Sequence, residues 1–396
     1  MAKTLTNHIM NTYGHPSIAF ERGDGAYLWD TDNNKYLDAL GGIAVCGLGH
    51  AHPAIAKTIS EQASTLMHTS NLYRIPAQEK LASQLCELSG LASVFFSNSG
   101  AEANEAAIKI ARLFGHQKGV EVPTIIVTEN SFHGRTLATL SATGNRKVQA
   151  GFAPLVQGFV RVPYNDIHAI RAVAKNTKNV VAVLVEPIQG EAGIKVPDAQ
   201  YLNEIRKICD QQDWLMMLDE IQTGMGRTGH WFAYQHNGIK PDVMTLAKSL
   251  GNGFPIGACL AGPKASHIMQ PGNHGSTYGG NPLGCSVATT VIETMQAINA
   301  PQNAADIGSY MLEAFTSTLK SQAGIVGIRG KGMMIGIELD QPCIELVARS
   351  AKKGLLINVA SGNTIRLLPP LTFTRAQADT TIKIVCDLIN EFTAGK

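Results

Sequence analysis

The stretch that decides the fold is residues 214–229, WLMMLDEIQTGMGRTG, together with residues 241–253, PDVMTLAKSLGNG. In each half, a run of apolar residues leads to a charged side chain, Asp219 in the first and Lys248 in the second. Continuous apolar runs without alternation are typical of strands buried on both faces of a parallel sheet. Ligand crevices of open α/β sheets lie at the carboxyl ends of the strands, so we expect Asp219 and Lys248 to meet at a crevice.

Around this stretch, from about residue 91 to residue 299, short apolar runs alternate with segments of helical spacing. The alternation predicts βαβ crossovers and a large domain whose mostly parallel sheet is flanked by helices. A hairpin pattern at residues 27–40 precedes it, and mixed strand and helix patterns follow it. We therefore expect an N-terminal segment (1–60), a large domain (61–290) and a C-terminal segment (291–396), the two end segments forming a smaller α+β domain.

Composition and charge argue against several classes of function. The 396 residues carry a formal charge of only +2, which gives no electrostatic reason to expect nucleic acid or an anionic membrane as a partner. The start of the chain, MAKTLTNHIM, lacks the apolar region of a secretory signal, and no apolar run approaches the roughly 18 residues of a membrane span. The seven scattered cysteines include no CxxC pair and predict reduced thiols in a cytoplasmic protein without a metal site.

A second motif lies at residues 97–114, SNSGAEANEAAIKIARLF. Ser99, with Glu102 three residues later, fits a capping box at the start of an alanine-rich helix. Ser99, Gly100 and Ala101 would then present free backbone N–H groups that could bind a phosphate. A well-capped helix with no ligand explains the same residues.

Other polar side chains stand in loops that follow apolar runs. Arg135 lies in NSFHGRT, Glu191 in EPIQGEAG, and Ser276 and Thr277 in HGSTYGGNPL. An arginine can hold a carboxylate through two parallel hydrogen bonds, but each of these side chains also fits an ordinary loop. Arg366 differs because it lies within an apolar strand, IRLLPPL, where an unpaired charge would be costly.

Residues 224–229, GMGRTG, match the GxGxxG fingerprint of dinucleotide-binding proteins. That fingerprint should open a helix inside a βαβ unit and be followed by an acidic residue about 20 positions later. The residues that follow, HWFAYQHNGIKPD, show no clear helix pattern. We therefore reject the nucleotide interpretation and expect residues 224–229 to be scaffold.

Asp219 and Lys248, at the ends of two predicted strands, indicate a particular cofactor. Pyridoxal phosphate needs a lysine for its Schiff base and an acid that keeps its pyridine nitrogen protonated. Lys248 and Asp219 supply both groups, and the helix that starts near Ser99 supplies a site for the phosphate.

In these motifs the chain resembles the class III aminotransferases, which have the fold of type I pyridoxal-phosphate enzymes. The resemblance extends from about residue 20 to residue 371, nearly the whole chain. The matching stretches are ERGDGAYLWD, GLGHAHP, NLYRIP, NSGAEANEAAIK, FHGRT, EPIQGEAGI, LDEIQTGMGRTG, TLAKSLGNGFPIGA, HGSTYGGNPL and IRLLPPL.

The resemblance implies roles for the cofactor-binding residues. Lys248 would form the Schiff base and then move a proton, and Asp219 would pair with the pyridine N–H. The remaining contacts would be Ser99, Gly100 and Ala101 at the phosphate, Phe132 at the ring face, Gln222 at the ring hydroxyl, and Glu220 and Ile221 beside them.

The resemblance also implies how substrates bind. Arg135, with Ser276 close by, would hold the carboxylate of an acyl-ornithine, and Arg366 would hold the α-carboxylate of glutamate. Glu191 would act as a gate by pairing with Arg366 while an ω-amino substrate is bound. Two further contacts are implied: Tyr13 with the substrate, and Thr277 with the cofactor phosphate of the neighbouring subunit, which makes the homodimer the catalytic unit.

The implied reaction moves the terminal amino group of N2-acetyl-L-ornithine to 2-oxoglutarate. Ornithine, succinylornithine, succinyldiaminopimelate and 4-aminobutyrate remain alternative donors, and an aminomutase of the same fold is an alternative activity. A nicotinamide dehydrogenase, based on GMGRTG, is more remote. The chain departs from residues usual in the family at Cys46, Ala192, Ser249 and Asn252, none of which is a charged catalytic group.

Overall fold

The structure, a computed structural model, describes residues 8–13 and 17–394. Its first part is a small antiparallel sheet followed by helices. The elements are β1 (Phe20–Asp24), β2 (Tyr27–Asp30), β3 (Lys35–Asp38), the one-turn segment α1 (Gly41–Ala44), α2 (Pro53–Thr65) and α3 (Pro76–Ser89). β2 and β3 form the hairpin that the sequence predicts at residues 27–40.

The middle of the chain forms one seven-stranded sheet. Its elements are β4 (Ser93–Ser97), α4 (Gly100–Gln117), β5 (Thr124–Thr128), α5 (Leu137–Ala142), α6 (Arg146–Gln149), β6 (Phe159–Val162), α7 (Ile167–Asn176), β7 (Val180–Val185), α8 (Tyr201–Gln212), β8 (Leu215–Asp219), β9 (Val243–Leu246), β10 (Gly257–Ala261) and α9 (Pro282–Ala297). The strand order is β4-β10-β9-β8-β7-β5-β6. β10 runs opposite to the other six strands of this sheet, so the prediction of a mostly parallel sheet is confirmed.

Burial explains why the predicted strands read as unbroken apolar runs. Every residue of β5, β7, β8, β9 and β10 is buried, because helices cover both faces of the sheet. Two clusters of apolar side chains pack against this sheet, and the larger continues into the C-terminal part of the chain. The strand ends therefore sit on a rigid frame.

The C-terminal part is a mixture of helices and short strands. Its elements are α10 (Ala300–Leu319), β11 (Ile325–Lys331), β12 (Met334–Leu339), α11 (Glu345–Lys352), β13 (Leu355–Leu356), β14 (Asn358–Ala360), β15 (Thr364–Leu367) and α12 (Arg375–Ala394). β11, β12, β15 and β14 form an antiparallel sheet, whereas β13 pairs in parallel with β3. The two ends of the chain thus share a sheet, as the predicted smaller α+β domain requires. The numerical domain bounds stay a prediction.

The GMGRTG segment is a turn that joins the two parts of the structure. Residues 221–232 contain no helix, as the sequence predicts, and Gly226 and Gly229 have φ angles of +85° and +98°. The fully buried Arg227 donates hydrogen bonds to the backbone carbonyls of Met333 and Pro369 in the C-terminal part. A turn without a helix behind it cannot bind a pyrophosphate in the manner of the dinucleotide fingerprint. Within the described part of the chain, no helix is long and apolar enough to cross a bilayer.

Candidate active site

A cavity of about 390 Å³ opens at the carboxyl ends of β8 and β9. Asp219 is the last residue of β8, and Lys248 lies just beyond the end of β9, so both reach the cavity wall, as predicted. The predicted residues that line this cavity are Ser99, Gly100, Ala101, Phe132, Arg135, Glu191, Asp219, Ile221, Gln222 and Lys248.

Asp219 is held by three hydrogen bonds. Its Oδ2 accepts a 2.7 Å bond from Asn104 Nδ2 and lies 2.8 Å from His133 Nδ1. Its Oδ1 accepts a 3.1 Å bond from the backbone N–H of Ile221. The carboxylate is buried and fixed in orientation, with its charge compensated by donors on three different segments.

Lys248 occupies a strained and desolvated position. Its φ is +47°, in the left-handed region that non-glycine residues seldom adopt. Burial, against the opposing effect of Glu191, lowers the pKa of its amine to about 8. At pH 7 such a pKa leaves about a tenth of this amine uncharged, far more than for an ordinary lysine, and the uncharged amine is the nucleophilic form.

The start of α4 forms a cradle at the cavity wall. Ser99 Oγ accepts a 3.2 Å bond from the backbone N–H of Glu102, and Glu102 Oε2 accepts a 2.9 Å bond from that of Asn98. The predicted cap at Ser99 is therefore present. A Cβ at Gly100 would lie 2.7 Å from Ile221 Cδ1, so a larger residue would displace the Ile221 side chain. The N–H groups of Gly100 and Ala101 have no helical acceptor and can bind an anion.

Glu186 directly follows the buried strand β7, and the sequence therefore places it near the mouth of the crevice without assigning it a role. It lines the cavity and accepts bonds of 2.9 Å from the N–H of Phe132 and 3.1 Å from the N–H of Gly190. Burial raises the pKa of its carboxyl group to about 7. The sequence offers His133, beside Phe132, as a cover for a planar ring, but its Nδ1 lies 2.8 Å from Asp219 Oδ2. Asn104 is not predicted as a site residue, because a helix-interior asparagine carries no signal of its own.

Glu191 and Arg366 form an ion pair, with Glu191 Oε1 2.6 Å from Arg366 Nη1. The arginine side chain is 2% exposed, whereas that of Glu191 is 41% exposed and lines the cavity. Arg366 Nη2 also donates a 2.8 Å bond to Asn358 Oδ1. Glu191 therefore covers a buried guanidinium while remaining accessible to solvent.

The remaining predicted residues lie at the rim of the cavity or outside it. Arg135 lines the cavity and is exposed, and Ser276 Oγ accepts a 3.3 Å bond from Asn98 Nδ2, a group of the cavity wall. Thr277 and Tyr13 are exposed and do not line the cavity of the single chain. Their predicted contacts with a partner's cofactor and with substrate stay predictions.

Glu220 points away from the cavity, in contrast to the cofactor contact expected of it. Its carboxylate accepts bonds of 2.7 Å from the N–H of Ala233, 2.9 Å from the N–H of Tyr234 and 3.0 Å from Thr223 Oγ1. Burial raises its pKa to about 7. Its role in this structure is to hold the GMGRTG turn against the 3₁₀ segment Ala233–Asn237.

The groups of the cavity fit pyridoxal phosphate. A lysine amine, a fixed carboxylate, a helix N-terminus and the ring of Phe132 all face one cavity. Gln222 Oε1 is buried and, among the described residues, has no hydrogen-bond partner, so it can accept a bond from a ligand hydroxyl. The residues that would hold the group are Ser99, Gly100, Ala101, Phe132, Asp219, Gln222 and Lys248.

The fold and the site together define a class of enzyme. The family model described as "Aminotransferase class-III" matches residues 9–389, and the chain belongs to this family. The protein is therefore an aminotransferase of the fold predicted from the sequence.

Curated relatives resemble the chain over its full length. It is 56% identical to an acetylornithine aminotransferase of Nitrosomonas europaea over 98% of this chain and 99% of the relative. It is 48% identical to acetylornithine aminotransferase 1 of Bordetella bronchiseptica with the same coverage of both chains.

Solved structures share the fold. An ornithine aminotransferase from Toxoplasma gondii superposes with a TM-score of 0.94 at 30% identity, covering 98% of this chain and 94% of that one. An acetylornithine aminotransferase from Elizabethkingia anophelis superposes with a TM-score of 0.87 at 34% identity, covering 97% of both chains.

Proposed function

We propose that the enzyme uses pyridoxal phosphate to transfer the terminal amino group of N2-acetyl-L-ornithine to 2-oxoglutarate. The products are N-acetyl-L-glutamate 5-semialdehyde and L-glutamate, a step of arginine biosynthesis. The observation that carries this proposal is the placement of two arginines: Arg135 is exposed at the cavity wall, and Arg366 is buried behind Glu191, which lines the same cavity. Relatives named for this activity, with up to 56% identity over the whole chain, support the choice of donor.

When bound, pyridoxal phosphate supplies an electron sink for the carbon that loses a proton. Lys248 Nζ would bond to it covalently, and its lowered pKa favours the uncharged amine that this requires and that can accept a proton. Asp219 Oδ1, with a lone pair still free, would hold a proton on the ring nitrogen. The first turn of α4 would bind the phosphate, and Phe132 would cover the ring.

The two substrates present their carboxylates differently. In N2-acetylornithine the reacting amine is terminal, and both the α-carboxylate and the acetamide lie at the other end of the molecule. In glutamate the α-carboxylate is next to the reacting amine. Glu191 would neutralise Arg366 for the first substrate and move aside for the second. A hydrogen bond to a charged group contributes roughly 1.5–3 kcal/mol, which is enough to change the preference about tenfold or more.

We further propose a cytoplasmic homodimer in which Thr277 reaches the partner's cofactor phosphate. Large apolar side chains near this residue are exposed in the single chain: Leu72 at 86%, Tyr73 at 70% and Tyr278 at 63%. A second subunit that covers these side chains would bury their apolar surface, and Thr277 would then lie at the cofactor site of that subunit. All seven cysteines are free, which supports a reducing compartment.

A half-reaction screen tests the donor. Cofactor-loaded enzyme is mixed, without acceptor, with N2-acetylornithine, ornithine, N2-succinylornithine, succinyldiaminopimelate or 4-aminobutyrate, and the change in cofactor absorbance is followed. We expect N2-acetylornithine to have the highest rate per concentration, about tenfold or more above free ornithine, because ornithine lacks the acyl group. A higher rate with ornithine or 4-aminobutyrate would contradict the proposal that N2-acetylornithine is the donor. Turnover without any 2-oxo acid would indicate an aminomutase instead.

A further inference from the structure

A buried asparagine behind Asp219 is not explained by the fold. Asn104 is the fifth residue of α4 and is 0% exposed on a face whose neighbours are alanines. Asparagine is a weak helix former, and a buried amide is costly unless its hydrogen bonds are made. Neither Asn104 nor its partner Thr245 lines the cavity, so neither would touch a bound ligand.

The amide of Asn104 makes three hydrogen bonds that fix its orientation. Its Nδ2 donates to Asp219 Oδ2 at 2.7 Å and to the backbone carbonyl of His133 at 2.8 Å. Its Oδ1 accepts a 2.7 Å bond from Thr245 Oγ1. A flipped amide would turn its oxygen toward two acceptors, so only the observed orientation satisfies every group.

The pairing of β8 with β9 places Thr245 where its hydroxyl can orient the Asn104 amide. Thr245 of β9 pairs with Asp219 of β8 in the central sheet, and it is buried. Its hydroxyl proton goes to Asn104, which leaves both amide protons for acceptors on the far side. The chain of bonds therefore runs from Thr245 through Asn104 to Asp219 and ends at the cavity wall.

We propose that Asn104, held by Thr245, is a positioning residue that keeps the Asp219 carboxylate aimed at the ring nitrogen of the cofactor. This inference rests on the proposed cofactor. Asn104 acts only through Asp219, by supplying one of the two donors on Oδ2, the other being His133 Nδ1. Without Asn104, the carboxylate keeps only the contacts with His133 and the N–H of Ile221, so its orientation toward the ring is held less firmly.

The test compares Thr245→Val, which keeps the side-chain shape, and Asn104→Leu with the wild-type holoenzyme. The cofactor carries ¹⁵N in its ring, and the ¹⁵N chemical shift reports ring protonation between pH 6 and 9. Controls are Thr245→Ser, which keeps the hydroxyl, and Thr289→Val, which removes a buried hydroxyl without a hydrogen-bond partner among the described residues. The titratable groups around Asp219 are the same in every variant: His133, Glu186, Glu220 and Lys248.

In the wild type and both controls we expect the ring nitrogen to stay protonated across this range. In Thr245→Val and Asn104→Leu we expect it to lose its proton at the alkaline end, and cofactor affinity to fall roughly tenfold. The value of kcat should fall while the KM for the amino donor changes by less than about twofold.

Thermal unfolding of each variant separates positioning from a merely structural role. If Thr245→Val unfolds at a lower temperature but its ¹⁵N titration matches the wild type, the inference is overturned. The same holds if Asn104→Leu folds and titrates as the wild type does. If the wild type itself binds no cofactor at Lys248, the proposed function fails instead, so the two failures are distinguishable.

Discussion

At the residue scale, Lys248 combines two energetically unfavourable features, a strained backbone and a buried amine. Its left-handed φ of +47° costs about 1–2 kcal/mol in a residue with a Cβ. Its burial lowers the amine pKa to about 8, so the charged form is also disfavoured. Both terms persist because the packed sheet holds the ends of β8 and β9 together.

Glu191 is the residue on which substrate choice depends in this account. We expect Glu191→Ala to leave Arg366 permanently open, which favours glutamate and disfavours the acyl-ornithine. The ratio of the two half-reaction rates should shift toward glutamate by about tenfold or more. Rapid-mixing absorbance measurements with each substrate provide the ratio.

Glu129→Ala is a suitable control, because Glu129 is an exposed acid outside the cavity lining and tests the general effect of removing a negative charge. If Glu191→Ala and the control give the wild-type ratio, Glu191 is not a gate.

Neighbouring residues show what the sequence could predict about the site and what it could not. Asp219 was predicted correctly as a cavity residue because a buried strand delivers it to the sheet edge. Glu220, one position later, faces the opposite side and binds backbone N–H groups, a direction set by the turn that follows. Asn104 was missed because its partners lie 115 and 141 positions away.

At the element scale, the turn that carries Lys248 is tied to the N-terminal part of the chain. Ser249 Oγ donates a 2.8 Å bond to the carbonyl of Ala44. Asn252 Oδ1 accepts a 2.6 Å bond from the N–H of Leu48, and its Nδ2 donates a 3.0 Å bond to the carbonyl of Gly49. The family resemblance leads one to expect glycine at both positions, and a glycine could form none of these side-chain bonds.

Asn252→Ala should loosen this turn. The change leaves the N–H of Leu48 without its acceptor and places alanine at a φ of +45°, and we expect a loss of stability of about 2–4 kcal/mol. Asn252→Gly loses the same bonds without the backbone penalty and should lose less. Thermal unfolding midpoints should fall in the order wild type, Asn252→Gly, Asn252→Ala, and an Asn252→Ala variant as stable as the wild type would contradict this explanation.

The strands of the central sheet could be predicted, but not the direction of each. Apolar runs identified β5, β7, β8, β9 and β10 because burial on both faces leaves no polar alternation. The reversed direction of β10 has no local signal, since it depends on which neighbours the strand finds. Helical spacing at residues 304–319 predicts α10, which begins earlier, at Ala300, because Pro301 is tolerated in a first turn.

At the scale of the whole molecule, long-range links unite the parts of the chain around the cavity. β13 pairs with β3, and Arg227 connects the GMGRTG turn to two carbonyls of the C-terminal part. Burial without a carboxylate partner lowers the pKa of Arg227 to about 9. The glycines of GMGRTG indicate a turn in the sequence, but they do not show which part of the chain the turn packs against.

The proposed dimer predicts complementation between two variants, one with impaired cofactor binding and one inactive. Thr277→Ala should weaken cofactor binding, and Lys248→Ala should abolish turnover. If Thr277 acts across the interface, a mixed dimer of the two variants contains one site with both defects and one intact site. Unfolding and refolding the two variants together should therefore restore activity to some of the dimers, and no recovery in mixed dimers isolated by two affinity tags would contradict a contact across the interface.

The central claim is that Lys248 is the residue that binds the cofactor of this aminotransferase. The most direct measurement is borohydride reduction of the cofactor-loaded protein, followed by digestion and mass spectrometry. We predict that the mass of the reduced cofactor lies on the peptide that contains Lys248. The control Lys109→Ala should give the same result, because the wild-type Lys109 amine bonds to the carbonyl of Asn273 outside the cavity. Lys248→Ala should show no adduct and no turnover, whereas an adduct on another lysine, or turnover retained by Lys248→Ala, would contradict the assignment.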